Sequence, residues 1–147
     1  AAVLEIVTEL ERIGDYAKGI ANINLMIGEA PLIKPLIDIP QMVEKATSML
    51  HRALQAFAER NVELAQNLAR EDVVLDNLYN QVYRELITMI MSNPHNIDQA
   101  THLLWVAHNL ELTGDRVLNI CERIIFTVTG ELVELNLGTS LSLTAHG

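Results

Sequence analysis

A single cysteine, Cys121, in 147 residues excludes a disulfide framework and a thiolate metal site, and fits a reducing compartment. Aromatics are scarce, at 4% of the chain, although half of the residues are apolar. Leu, Ile, Val, Ala and Met must therefore fill the interior, as they do in helix bundles. Basic residues are few: 10 against 19 acidic ones, for a net charge of −9 and a pI near 4.9. Such a surface repels phosphate backbones, which argues against nucleic-acid binding. It favours metal cations or a basic partner surface. No apolar run approaches the roughly 18–20 residues that span a bilayer. There is no charged-then-apolar leader either. The sequence reads as soluble and cytoplasmic, with at most a peripheral, partner-borne attachment to membranes. Also missing are a Ser-His-Asp pattern, a P-loop and a dinucleotide fingerprint, so nothing points to covalent catalysis. Glu-x-x-His is absent too, which rejects a ferritin-like oxidase. Finally, no Met opens the chain and no capping residue precedes the helical pattern under way by Val3. The expectation is a chain that starts inside a helix, with upstream sequence missing.

What is present is a repeat. Leu-Glu-Arg-Ile-Gly-Asp at 10–15 returns as Leu-Glu-Leu-Thr-Gly-Asp at 110–115, an offset of 100 residues. Leu4 and Leu104, Val7 and Ala107, and Ile20 and Ile120 extend the match. A repeat of this length implies two related structural units whose carboxylate pairs occupy equivalent places.

Helical periodicity organises the rest. Val3, Ile6, Val7, Leu10, Ile13, Ala17, Ile20 and Ala21 recur at three and four, one face of a helix ending near Ile27 before Gly28. Pro31, Pro35 and Pro40 make 30–40 an extended linker. Its Leu32, Ile33, Leu36 and Ile37 predict that it packs on the bundle. A second helix is expected over 41–69, with a weak spot at Arg60 and Asn61, and a third over 71–91. Ser92-Asn93-Pro94 closes the third by turn chemistry. Asn96 is expected to cap a fourth helix, which carries the second motif to about Val128. The tail from Glu131 has no helical period and is expected to be weakly ordered. The predicted class is all-α: an up-down three-helix bundle over 41–130, preceded by the last helix (1–29) of an incomplete bundle and followed by the tail 131–147.

Side chains four apart share a helix face. Glu11 with Asp15, Glu111 with Asp115, and Asp72 with Asp76 therefore form three carboxylate pairs. Neighbouring Arg12 and Arg116 offset some of their repulsion; otherwise a cation does. Oxygen-only clusters suit hard or borderline metals such as Mg, Mn, Fe or Ca. On a helical wheel Glu11 and Asp15 lie about 105° and 145° from the apolar centre, and Asp72 and Asp76 about 85° and 125°. The carboxylates are thus expected to flank the core, as a surface site between helices. A plain solvated acidic face is the competing reading. Gly14 and Gly114 weigh against it, since a mid-helix glycine costs roughly 1 kcal/mol against alanine and needs a reason. Close helix approach and room beside the carboxylates are the two on offer. His108, one turn before Glu111, is within reach of the same site, but position 8 is Thr. His51, His95, His102 and His146 read as surface residues. Cys121, Met42, Met49, Met89 and Met91 read as core filler.

The stretch 10–17, the second copy at His108-Asn109-Leu110-Glu111, Gly114-Asp115 and Asn119-Ile120, and segments at 31–40, 72–79 and 123–130 resemble the PhoU family of phosphate-uptake regulators. The resemblance covers about residues 1–131. It implies two pseudo-symmetric three-helix bundles, the first largely missing here. It also implies divalent or trivalent metal ions (Mg, Mn, Fe or Zn) bound through Glu/Asp-x-x-x-Asp motifs. Glu11 and Asp15 would then serve one site, and Asp72, Asp76, Glu111 and Asp115 the other. The implied role is non-enzymatic: coupling the phosphate-specific ABC transporter and its ATPase to a sensor histidine kinase, and holding the phosphate-starvation response off. Leu112-Thr113 and Arg116 depart from the family pattern at the second site. The open apolar stripe of 1–29 then needs cover, by a homo-oligomer such as a dimer or by upstream chain. The alternatives are a PhoU-like domain of a phosphate symporter and a metal-free helical interaction module.

Overall fold

The computed structural model describes residues 2–33 and 37–130. Residue 1, residues 34–36 of the linker and the tail 131–147 lie outside that description, and with them the expectation for the tail. The described residues form four α-helices: α1 (Ala2–Ile27), α2 (Asp38–Glu59), α3 (Val62–Ser92) and α4 (Ile97–Thr129). A single 3-10 turn, Pro94–Asn96, joins α3 to α4. The class is all-α, as expected.

The helix ends follow local chemistry. Gly28 and Gly130 stop α1 and α4 with positive φ, of 61° and 76°, in the left-handed conformation that closes a helix C-terminus. The break between α2 and α3 differs from the expected 69–71. It falls at Arg60, a left-handed residue with φ 54°, followed by Asn61, whose Oδ1 accepts the Leu64 N–H at 3.0 Å. Asn61 is the one good cap in the region. Residues 69–71 contain no Gly, Pro or capping side chain, so α3 runs straight through them. At the α4 entrance, Asn93 rather than Asn96 does the capping: its Oδ1 accepts the His95 N–H at 3.1 Å. The Asn96 amide instead donates back to the Met89 carbonyl at 3.2 Å. Helix α2 starts at Asp38, so Pro40 lies in its first turn, where its missing N–H has no intrahelical acceptor to lose. Of the linker residues expected to pack, Ile33 does so, whereas Leu32 and Ile37 are exposed and Leu36 lies outside the described residues. Gln99 of α4 clamps the linker, accepting the Ile33 N–H at 2.6 Å and donating to the Pro31 carbonyl at 2.8 Å.

Helices α2, α3 and α4 pack against one another as the expected three-helix bundle, and α1 lies on α4 alone. α1 and α4 run antiparallel: Glu5 pairs with Arg123 at 3.1 Å and Glu9 with Arg116 at 3.3 Å. Only the line of α1 that meets α4 is covered. Ile6 is buried and Leu10, Ile13 and Ile20 are half-buried, whereas Val3, Val7, Ala17 and Ala21 are exposed. The α1 stripe is thus wider than the one helix packed against it.

The core divides into two apolar clusters. One gathers Met49, Ala53, Leu68, Val117, Cys121 and Ile124; the other gathers Met42, Ala46, Leu75, Val82, Leu103 and Leu110. Cys121, Met42 and Met49 are core residues, as read from sequence, but Met91 is exposed. Burial pushes the Cys121 thiol up to about 12, which keeps it an inert thiol. On α3 the step from Leu68 to Leu75 passes through Asp72. On α4 the step from Leu110 to Val117 passes through Gly114. The polar layer between the two clusters is therefore built from motif residues.

Candidate metal centre

Asp72 is fully buried, and neither carboxyl oxygen has a hydrogen-bond partner. This corrects the expectation that the carboxylates merely flank the core. The wheel placed Asp72 just beyond the stripe of α3, but α4 comes close enough there to cover it. Gly114 makes that approach possible: a Cβ at 114 would stand 2.7 Å from Asp72 Oδ1 and 2.6 Å from Leu75 Cδ2. Both reasons offered for this glycine hold at once, since the close helix contact is with the carboxylate itself.

Asp76, Glu111 and Asp115 line the same α3/α4 seam and are half-buried. The four groups act on one another. Burial first, then the charges of Asp76 and Asp115, push Asp72 up to about 7. Burial first, then Asp76 and Asp115, push Glu111 up to about 7. Asp76 is raised by burial and by Asp115, and Asp115 by burial. Asp76 and Glu111 share a hydrogen bond that favours the proton on Glu111. Arg116 and His108 lower Asp115 by their charge, so Arg116 offers the expected compensation. It does so while tied to Glu9 of α1.

A buried carboxylate without a partner is costly unless it holds a proton or a cation. The donors here are carboxylate oxygens, which suit hard, oxygen-seeking cations. The residues therefore fit a divalent metal by chemistry. Among the described residues no group of three or more His, Cys, Asp or Glu is drawn together closely enough to hold an ion as the side chains stand. Loading a metal would require these carboxylates to rotate inward.

The other motif copy is not assembled. Glu11 and Asp15 are exposed, and a Cβ at Gly14 would meet nothing within 4 Å. Arg12 turns to Glu9 at 3.8 Å. The four-carboxylate group and the Glu11/Asp15 pair are thus unequal within this chain. His51 and His95 are exposed, His102 is half-buried, and His146 lies outside the described residues.

Sequence reasoning missed Glu71, next to Asp72. Arg52 of α2 grips both of its oxygens, at 2.5 and 2.7 Å, and Lys45 reaches Oε1 at 2.5 Å. The Arg52 hydrogen bond, working against burial and aided by Lys45, lowers Glu71 to about 2. Adjacent carboxyls are thereby split, one held anionic and one pushed toward neutrality. Lys45 and Arg52 stand seven apart on one side of α2, which is a visible signal. Matching it to Glu71 needed the α2/α3 register.

A profile described as the PhoU domain matches residues 39–124. The chain is 35% identical over 130 residues to the "Phosphate-specific transport system accessory protein PhoU homolog" of Deinococcus radiodurans, a match covering 88% of this chain and 61% of that protein. A protein of the same description from Clostridium acetobutylicum is 37% identical over 136 residues, covering 90% of this chain and 61% of its own. The crystal structure of the phosphate transport system regulatory protein PhoU from Streptococcus pneumoniae superposes with a TM-score of 0.83 at 32% identity, over 90% of this chain and 63% of that one. The chain thus spans about three fifths of the length of the curated relatives it matches.

Proposed function

The chain belongs to the PhoU domain family, and from that premise we propose that it is a metal-binding helical adaptor of phosphate transport and phosphate-starvation signalling. In this reading it works in the cytoplasm without catalysing a reaction. It couples a phosphate-specific ABC transporter to a sensor histidine kinase and restrains the starvation response. The observation that carries the metal part is Asp72, buried and unpartnered opposite Gly114. A divalent cation at the seam would neutralise Asp72, Asp76, Glu111 and Asp115 and draw α3 and α4 together. Asp72 and Asp76 would hold it from α3, and Glu111 and Asp115 from α4. The adaptor part draws on the relatives' description as transport-system accessory proteins. It draws also on the acidic surface, which suits basic partner faces.

The test has two arms. Metal content is measured on chain purified without chelator. Pull-down then uses the transporter ATPase and the cytoplasmic part of the kinase. Bound metal that is lost in Asp76→Asn/Glu111→Gln, together with capture of either partner, supports the reading. Capture that resists chelators would favour the metal-free interaction module. No capture and no metal would remove the proposal.

A further inference from the structure

The chain has one tryptophan and three tyrosines. Trp105, Tyr79 and Tyr83 gather on one surface across α3 and α4, with His108 between them. The Trp105 ring meets His108 edge-on with centroids 5.7 Å apart. His108 lies 6.2 Å from Tyr79, and Tyr79 lies 6.5 Å from Tyr83. In a chain this poor in aromatics such a gathering needs a reason; core packing supplies one for Tyr79 but not for Trp105 or Tyr83. Trp105 is 54% exposed and Tyr83 45%. Large rings left in water at the two ends of one aromatic cluster are the residue types that dominate the centres of protein interfaces.

The surroundings select the ligand. Glu111 is close enough to act on Tyr79 by its charge, and Asp76 shares a hydrogen bond with Glu111. Arg84 follows Tyr83 along α3 but points roughly 100° away around the helix. Ring faces beside carboxylates attract a cation that can also lie flat against a ring, which is the chemistry of a guanidinium more than of an ammonium. The same charge disfavours two other users of exposed aromatics. Anionic lipid headgroups are repelled, and so are the phosphates of a nucleic acid whose bases might stack.

We propose that the ring cluster of Trp105, Tyr83, Tyr79 and His108 is a docking surface for an arginine-bearing segment of a partner protein, with an arginine seated on an exposed ring, Trp105 or Tyr83. The inference rests on the adaptor reading only in that a partner protein supplies the segment. It does not require bound metal, although metal on Asp76 and Glu111 would weaken docking by neutralising the carboxylates beside the rings. A failed transporter and kinase pull-down beside intact peptide binding would sink the former and leave the latter.

The probe is a fluorescein-labelled, alanine-based helical peptide with arginines at two positions four apart, alongside versions carrying lysine, glutamine or glutamate there. Trp105 is the sole tryptophan, so its emission reports directly on the patch. The arginine peptide is expected to shift or quench that emission and to bind in an anisotropy titration. Lysine should weaken binding about threefold, and glutamine or glutamate should abolish it. Trp105→Ala and Tyr83→Ala should each weaken it by about fivefold, and Trp105→Phe should restore most of the loss. Both side chains are largely exposed, so folding should survive, and circular dichroism checks it. Equal binding of the glutamine peptide overturns the proposal, as does unchanged affinity in Trp105→Ala. So does a Trp105 response to phosphatidylglycerol vesicles or to oligo-dT that the arginine peptide fails to produce.

Discussion

Gly114 and Asp72 face each other across α3 and α4 so closely that a Cβ at 114 would lie 2.7 Å from Asp72 Oδ1. The glycine is thus the space in which a buried carboxyl sits. Its sequence counterpart Gly14 faces open space. The two copies of one motif therefore make opposite predictions for the same substitution.

Gly114→Ala should destabilise the chain by about 1–3 kcal/mol, the usual cost of overpacking, even though alanine favours helix. Gly14→Ala should stabilise it by about 0.5–1 kcal/mol, because only the helix-propensity gain remains. Urea denaturation of the two variants beside wild type checks both signs.

The acid cluster sets a pH dependence. Asp72 and Glu111 keep their protons up to about 7 in the folded chain, while the unfolded chain gives them up near pH 4. The folded state then binds more protons, so metal-free stability falls as pH rises from about 4 to about 7 and stays lowered above. Asp72→Asn should flatten that slope and raise the urea midpoint at pH 8. A midpoint unchanged by Asp72→Asn at pH 8 would contradict the assignment.

Glu71 works the other way. Held at about 2, it contributes stability that is fully present above its ordinary value of 4.5 and is lost as pH falls toward 2. Its grip by Arg52 is bidentate and partly shielded from water, so Glu71→Gln should cost about 1 kcal/mol. The Arg12–Glu9 pair, 3.8 Å apart with Arg12 exposed, should be worth no more than a few tenths of a kcal/mol. Double-mutant cycles separate the two.

Cation binding should act through the cluster alone. Mn²⁺ should raise the melting temperature more at pH 8 than at pH 5.5, because the metal displaces protons from the carboxyls. Asp76→Asn/Glu111→Gln should remove the effect. Glu11→Gln/Asp15→Asn should leave it intact in this chain, since those two side chains lie exposed.

The helices and the four carboxylates gathered at the α3/α4 seam were legible because periodicity and spacing are local properties. The break at Arg60 was visible only as a weak spot, because a left-handed arginine is set by the packing of α2 on α3 rather than by its own preference. The burial of Asp72 escaped the wheel for a related reason. A wheel shows which side of one helix is apolar; it does not show how near the next helix comes. Gly114 held that information, but a glycine states its reason only when the opposite residue is known. The Glu71 ion pairs and the aromatic cluster span two helices each, and no single-helix pattern contains them.

The central claim is that the α3/α4 carboxylates hold a metal ion. Equilibrium dialysis against Mn²⁺ and Fe³⁺ with elemental analysis tests it most directly, with wild type compared to Asp76→Asn/Glu111→Gln at pH 7.5. The account predicts at least one ion per wild-type chain and near-complete loss in the double variant. No uptake by wild type, or equal uptake by both, would contradict it.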